Sequence, residues 1–385
     1  MNKISLYFIL YLISQILFSC HDRVKTCTNI GVLDQERKRV NLSALADSIE
    51  YIPLSSDSIL DIILKIEFSN SYIYVKDKKS LFAKFNGNGD FITEIGKRGN
   101  GPQEYNYVND FVVDNETGKC YVLNYNHQKI YAFKSNGDFI ETMDLAFEYP
   151  TRFCQIAEGL FIYYNNSRGK KDICFEIIDI EGNALKQFNN DNKFDIEGSF
   201  LTFKDDCILY KDGEKVCYKE IHSDTVFYVE NQEVKIKYVL NSEDKSFVNS
   251  LRSNPIFFMN HSHEFIMQTN LFETKNYIFY EYWYQNENRI LIYCKQKNYS
   301  FEIDAKIGFI NDMDGGPNLY PKFVKSGNTL IGWVDAYKLK AHVVSDIFKN
   351  STPLYPEKKK QLEQLANSLN ENDNPVLMLV KLKDD

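Results

Sequence analysis

The chain has 385 residues, 44% of them hydrophobic and 15% aromatic, with 26 Tyr and 28 Phe. That length holds one large repeat domain or two ordinary ones, and the composition suits a soluble chain of strands around an extensive core. The net charge of −8 argues against a nucleic-acid partner, because a phosphate backbone selects a basic face, and the Lys358-Lys359-Lys360 run reads as the first turn of an exposed helix.

Lys3 precedes a largely apolar run over residues 4–18. At about 1.5 Å per helical residue this run is short for a membrane span, so residues 1–19 read as a signal peptide. Leu17-Phe18-Ser19-Cys20 resembles a bacterial lipobox. That resemblance implies cleavage before Cys20, lipid on its sulfur and acylation of the new N-terminus, and two or more acyl chains make a stable anchor. His21-Asp22-Arg23 does not match the acid-rich export signal of surface lipoproteins, which favours the periplasmic side of the envelope. Residues 20–42 are polar and aperiodic, as a tether between lipid and domain would be, and the folded domain is expected over 43–385.

Residues 43–50 read as a helical turn or two before a short strand at Tyr51-Ile52-Pro53-Leu54. A repeat follows. Asn88-Gly89-Asp90-Phe91-Ile92 returns 48 residues later as Asn136-Gly137-Asp138-Phe139-Ile140. Around these turns, strands are predicted at 72–75, 81–85 and 91–95, then at 111–113, 120–123, 130–133 and 139–143. A weaker third copy places Gly182 at the Gly137 position, between strands near 175–180 and 184–185, after a strand at 160–164. Diverged units follow at 200–210 with 225–239, 277–284 with 290–303, and 323–334. Helices are predicted over 335–348 and 357–370, the second with Leu362, Leu365 and Leu369 on one face. Asn374-Pro375 stops it, and 376–382 is a terminal strand.

A period near 48 built from short strands and Asn-Gly or Gly-Asp turns is the signature of a propeller. The count of about six units predicts an all-β, six-bladed β-propeller of four-stranded antiparallel blades. The strands at 51–54 and 376–382 fall outside complete units, so they are expected to close one blade together. In this phasing the Asn-Gly-Asp turns lie away from the connection over 96–105 and are architectural, with Gly supplying φ > 0. The once-only loops over 96–105 and 311–317 are the functional candidates.

Gly99-Asn100-Gly101-Pro102-Gln103-Glu104-Tyr105 is similar to the G-x-G-P-x-E-Y segment of six-bladed β-propeller lipoproteins common in Bacteroidetes. Tyr51-Ile52-Pro53-Leu54, Asn311-Asp312-Met313-Asp314-Gly315-Gly316-Pro317 and Asn374-Pro375-Val376-Leu377 fit the same family in the same order. The resemblance covers about residues 45–383 plus the lipobox. It implies an NHL-like propeller and an envelope address, and little chemistry.

Catalytic signatures are sparse. The stretch from Gly96 to Gly101 lacks GxxxxGK[ST] and precedes no helix, so it reads as a turn. Asp312-Met313-Asp314-Gly315 opens like a calcium loop, but Phe323 stands where the closing Glu belongs. His261 and His263 have strand spacing for one face, yet no other histidine offers a third ligand by spacing. No G-x-S-x-G is present. Seven of the eight cysteines remain once Cys20 is set aside, mostly in apolar strand runs, with Cys207 and Cys217 the pair placed to bridge adjacent strands. Tyr-rich segments such as 277–284 read as filling between blades. No cofactor or metal is expected. The reading is a non-enzymatic, lipid-anchored module of the cell envelope, at the outer membrane, whose funnel takes a glycan, peptide or protein. The funnel residues are Arg98, Asn109, Asp110, Arg152, Asp312 and Asp314. The alternatives are a metal-assisted propeller lyase or hydrolase acting on a glycan or peptide, and a scaffold of an outer-membrane uptake complex.

Overall fold

The computed structural model describes residues 27–384 apart from 147–149, 158–159, 166–168, 170, 196–200 and 326. The signal peptide and Cys20 lie outside the described residues. Six sheets follow one another along the chain. Blade 1 is Ile63–Ser69, Tyr72–Asp77, Phe82–Asn86 and Phe91–Glu94; blade 2 is Asp110–Val113, Cys120–Asn124, Lys129–Phe133 and Phe139–Asp144. Blade 3 is Pro150–Ala157, Leu160–Asn165, Ile173–Ile178 and Ala184–Asn189; blade 4 is Cys207–Asp212, Lys215–Glu220, Thr225–Glu230 and Glu233–Asn241. Blade 5 is Met267–Glu273, Tyr277–Tyr284, Glu287–Cys294 and Tyr299–Asp304; blade 6 is Phe323–Lys325, Thr329–Val334, Val376–Leu382 and, outermost, Ala46–Pro53. The first strand of each blade packs on the first strand of the next right round the ring, so the six line a common axis. This is the predicted six-bladed propeller.

Burial explains why the strands alternate only at the rim. Cys120–Asn124, a second strand, is buried at every position because a blade covers each of its faces. The outer strand Phe91–Glu94 alternates half-buried and exposed. Aromatic rings fill the wedges between blades: Phe82 meets Phe111 at 4.3 Å, Tyr121 meets Phe161 at 4.7 Å, and Phe175 meets Tyr218 at 4.4 Å. Tyr280 and Tyr282 are buried in the same way, whereas Trp283 is exposed.

The ring closes as expected. Val376–Leu382 pairs antiparallel with Ala46–Pro53, with Val376 opposite Pro53 and Val380 opposite Ile49. The expected helix over 43–50 is a correction: only Leu42–Ala44 forms a 3-10 turn, and the strand begins at Ala46. Pairing with the C-terminal strand buries Ala46 and Ile49 in the core, which outweighs local helix preference.

The tether also ends earlier than its polarity suggests. Thr28–Gly31 adds a parallel fifth strand to blade 4, and Arg37–Lys38 pairs parallel with the outer strand of blade 5. Ile30, Val32 and Leu33 are buried there. The strap covers two otherwise open sheet edges.

The repeated turns dock between blades. Gly89, Gly137 and Gly182 have φ of 91°, 89° and 86°. A Cβ would stand 2.1 Å from the Pro53 carbonyl oxygen at Gly89, 2.4 Å from that of Glu94 at Gly137, and 2.9 Å from that of Asp144 at Gly182. Each contact lies at the end of the preceding blade's outer strand. Ser55 N donates to Gly89 O at 2.8 Å, and Gly96 N to Gly137 O at 3.2 Å.

One helix, α1 (Pro255–His261), sits in the connection between blades 4 and 5. Three more, α2 (Ala336–Val344), α3 (Asp346–Asn350) and α4 (Pro356–Ser368), join the second and third strands of blade 6. Leu362 is buried and Leu365 and Leu369 pack on the same core. The seven described cysteines are free thiols. Cys217 pairs in register with Tyr210, three positions from Cys207, so the two sulfurs form no bridge.

Candidate functional site

All six first strands run in one direction, so their starts gather at one mouth of the axis, called upper here, together with the blade-to-blade connections. Within two residues of each start stands a polar side chain. In blade order these are Lys65, Asp110, Arg152, Asp205, Gln268 and Lys322. They form a linked rim. Lys65 Nζ reaches Asp110 Oδ1 at 2.8 Å and donates to Phe111 O at 2.5 Å. Asp110 Oδ2 accepts from Phe153 N at 3.2 Å. Arg152 Nη2 meets Asp205 Oδ1 at 3.2 Å and donates to Lys204 O at 2.9 Å. Gln268 Nε2 donates to Asp205 O at 2.8 Å. Lys322 Nζ lies 3.5 Å from Glu281 Oε2, and its carbonyl accepts from Asn270 Nδ2 at 2.7 Å.

Two lysines stand behind this rim on second strands. Lys76 lies opposite Lys65 in register, and Lys219 lies opposite Ile208 in blade 4, across the ring. Each points to the start of the next blade's first strand. Lys76 Nζ donates to Asn109 O at 3.1 Å, under the Tyr107 ring at 5.6 Å. Lys219 Nζ donates to Gln268 Oε1 at 3.0 Å and more weakly to Glu220 O at 3.4 Å.

The electrostatics separate paired from unpaired cations. Burial disfavours the Lys65 ammonium, but Asp110 and Glu67 outweigh it and hold its pKa above the ordinary lysine value. Burial pushes Lys76 down to about 7; Asp110 opposes this, and Arg152, Lys204 and Lys65 lower it further. Burial pushes Lys219 down to about 8 against the attraction of Asp224. Burial also lowers Lys322, opposed by Glu281. Asp205 is raised by burial, with Arg152 pulling the other way.

The sequence candidates divide. Asn109, Asp110 and Arg152 meet at the upper mouth, where Asn109 Oδ1 also accepts from Tyr125 N at 2.8 Å. Arg98 is exposed on its connection and donates from Nη1 to Lys79 O at 2.9 Å, away from the rim. Its loop is self-supporting: Glu104 Oε2 accepts from Gly101 N at 2.9 Å, and Tyr105 Oη donates to Ile95 O at 2.6 Å. A Cβ on Gly99 would stand 2.0 Å from Glu104 Oε2, so that glycine makes room for the carboxylate. Asp312 accepts from Ser43 N at 3.0 Å and Ser43 Oγ at 2.5 Å, pinning the 3-10 turn. Asp314 is buried beside the outermost strand of blade 6. Its Oδ1 accepts from Tyr51 Oη at 3.2 Å, Asn311 Nδ2 at 2.7 Å and Gly316 N at 2.9 Å. Burial raises the Asp314 pKa.

Sequence reasoning missed Lys65, Lys76, Lys204, Asp205, Lys219, Gln268 and Lys322. The signal available was positional for Lys322, just before the strand predicted from 323, but no strand was predicted around Lys65 or Gln268, because the first strands are the most diverged part of the repeat. His261 ends α1 and His263 lies in a 3-10 turn, so the two do not share a strand face. Among the described residues no three His, Cys, Asp or Glu side chains gather as metal ligands would.

The family described as "Domain of unknown function (DUF4934)" matches residues 27–381. Among solved structures, a Bacteroides fragilis protein described as a candidate exported protein superposes with a TM-score of 0.72 at 19% identity, over 93% of this chain and 99% of its own. A member of the DUF4221 family from Bacteroides vulgatus superposes with a TM-score of 0.54 at 11% identity, over 88% of this chain and 97% of its own. At these identities the likeness is one of fold. No curated protein matches the chain.

Proposed function

This chain belongs to the DUF4934 family, and we propose that it is a lipid-anchored protein of the cell envelope whose propeller binds a ligand at the upper mouth without chemical turnover. One observation carries the binding reading: six separate blades each bring a polar side chain to a single rim at or beside the first strand, while the loops expected to be functional are occupied in building the fold. Rigid strands that hold convergent polar groups suit recognition. A glycan, a peptide or a partner protein fits such a rim.

The anchor reading rests on Leu17-Phe18-Ser19-Cys20 after an apolar run, and the export described for the B. fragilis neighbour agrees with it. Cys20 stands eight positions before the strap strand that begins at Thr28. At about 3.4 Å per extended residue, that spacing would keep the edge of blade 4 within about 27 Å of the lipid.

Two experiments test these halves. Cys20→Ser should move the protein from the membrane to the soluble fraction and abolish incorporation of radiolabelled palmitate; retention of label would overturn the anchor. The detergent-solubilised chain should retain specific members of glycan and peptide arrays, and Arg152→Gln should lose them. Capture indifferent to Arg152, Asp205 and Lys322 variants would overturn the mouth as the binding site.

A further inference from the structure

Resting on that reading of the mouth, we propose that the ligand presents an anionic group, a carboxylate, sulfate or phosphate, which sits between blades 1 and 3 on Lys76, Arg152 and Lys204. Arg252, Lys237 and Lys65 each have a carboxylate in contact, whereas the buried Lys84 and Lys219, like Lys76, have none among the described residues. Arg252 meets Asp206 at 2.7 Å within a cage of Phe194, Phe203 and Phe247. Lys237 meets Glu273 at 2.6 Å and Asp212 at 2.7 Å. Lys65 meets Asp110 at 2.8 Å and Glu67 at 2.9 Å. Lys76, at 5% exposure, is as buried as Arg252 and more buried than Lys65 or Lys237, yet its ammonium contacts one backbone carbonyl and no carboxylate among the described residues.

The groups that face it explain the gap. Lys65 comes from the first strand of its own blade, Asp110 and Asn109 from the start of blade 2, Tyr107 from the connection above, Arg152 from the first strand of blade 3, and Lys204 from the connection into blade 4. Asp110 is the carboxylate that attracts it, but its oxygens are taken by Lys65, Phe111 N and Phe153 N, and Asp205 beyond it is paired with Arg152. Burying a charge without a partner is costly, and the fold leaves the missing charge to be supplied from outside. Access exists, because Lys204 is exposed and the Arg152 side chain keeps 20% exposure. In a chain of net charge −8 such a local cluster focuses anions that the rest of the surface repels.

The test is calorimetric titration of the full chain in detergent with sulfate, phosphate and glucuronate, with glucose as the neutral control. The three anions should bind saturably and glucose should not. Lys76→Met and Arg152→Gln should each weaken anion binding about tenfold, the effect of losing one charge-assisted hydrogen bond. Affinity should fall between pH 6 and pH 8, and that slope should vanish in Lys76→Met. Lys204→Gln, a surface change, serves if Lys76→Met does not fold, and should weaken binding in the same direction. No saturable anion binding, or binding untouched by these variants, overturns the proposal. A neutral array ligand lost in Arg152→Gln would overturn the anion assignment and leave the mouth reading standing, whereas capture indifferent to every rim variant would remove both.

Discussion

The Tyr51 hydroxyl donates to Asp314 Oδ1 at 3.2 Å, across 263 positions of sequence. Asn311 Nδ2 donates to the same hydroxyl at 3.1 Å. Nearby, Asn374 Nδ2 donates to Ser55 O and Ser58 O, both at 2.7 Å, and its Oδ1 accepts from Leu60 N at 2.9 Å. Three of the four segments singled out in the sequence therefore meet at the seam where the two ends of the chain close blade 6. A ring assembled from consecutive blades has one junction that no local hairpin can make, and these side-chain bonds cross it.

Tyr51→Phe should accordingly destabilise the fold. It removes the donor to a buried carboxylate whose other oxygen already lacks a hydrogen-bond partner. The expected loss is about 1–3 kcal/mol, the cost of an unsatisfied buried polar group, read from urea unfolding. An unchanged midpoint would mean that the seam is held by strand pairing alone.

The repeat glycines allow a controlled comparison. Gly137→Ala forces both a left-handed Ala and a Cβ into the backbone of blade 1, whereas Gly213 has φ of 58° with nothing within 4 Å of the added carbon. Gly213→Ala should cost about 1–2 kcal/mol, the conformational term alone. Gly137→Ala should cost clearly more, because backbone on both sides of the interface must move. Equal losses in thermal unfolding would show that the turn is a local device and not an inter-blade contact.

These turns show why the fold was legible and the mouth was not. Asn-Gly-Asp recurs because one backbone conformation and one close approach are needed in each of three blades, so the constraint is written as identity. The rim obeys no such constraint: Lys65, Asp110, Arg152, Asp205, Gln268 and Lys322 occupy equivalent places with different chemistry. Asn109 and Asp110 were found because they precede the recognisable strand at 111–113. Lys76 was hidden at the end of the apolar run Tyr72-Ile73-Tyr74-Val75, where a lysine reads as the exposed end of a strand. The strap was hidden for the opposite reason, since Ile30, Val32 and Leu33 are three apolar residues in a polar stretch, too few to show a period.

The strap should matter for stability all the same. Ile30 is 2% exposed, opposite Leu240 on the outer strand of blade 4 and in one core cluster with Tyr282 and Leu291 of blade 5. Ile30→Ala should cost about 2–4 kcal/mol, as large-to-small changes in cores do. A surface tether would lose less than about 0.5 kcal/mol for the same change. Chemical denaturation separates the two outcomes.

Lys76 makes a prediction about pH with an unusual sign. Its pKa falls from the ordinary 10.5 to about 7 in the fold. Between those values the unfolded chain binds the proton and the folded chain does not, so the Lys76 contribution to stability rises with pH across that interval. Below about pH 7 the folded protein carries the buried ammonium and bears the whole penalty. A shift of that size corresponds to roughly 5 kcal/mol, of which the bond to Asn109 O returns about 1 kcal/mol. Lys76→Met keeps the volume and discards the charge. At pH 6 the variant should therefore be more stable than the parent, by roughly 2–4 kcal/mol in guanidinium unfolding. Near pH 10 the advantage should shrink towards zero. A variant less stable than its parent at pH 6 would show that the ammonium is compensated within the fold. A stabilised variant that has lost anion binding would be the expected trade of stability for function.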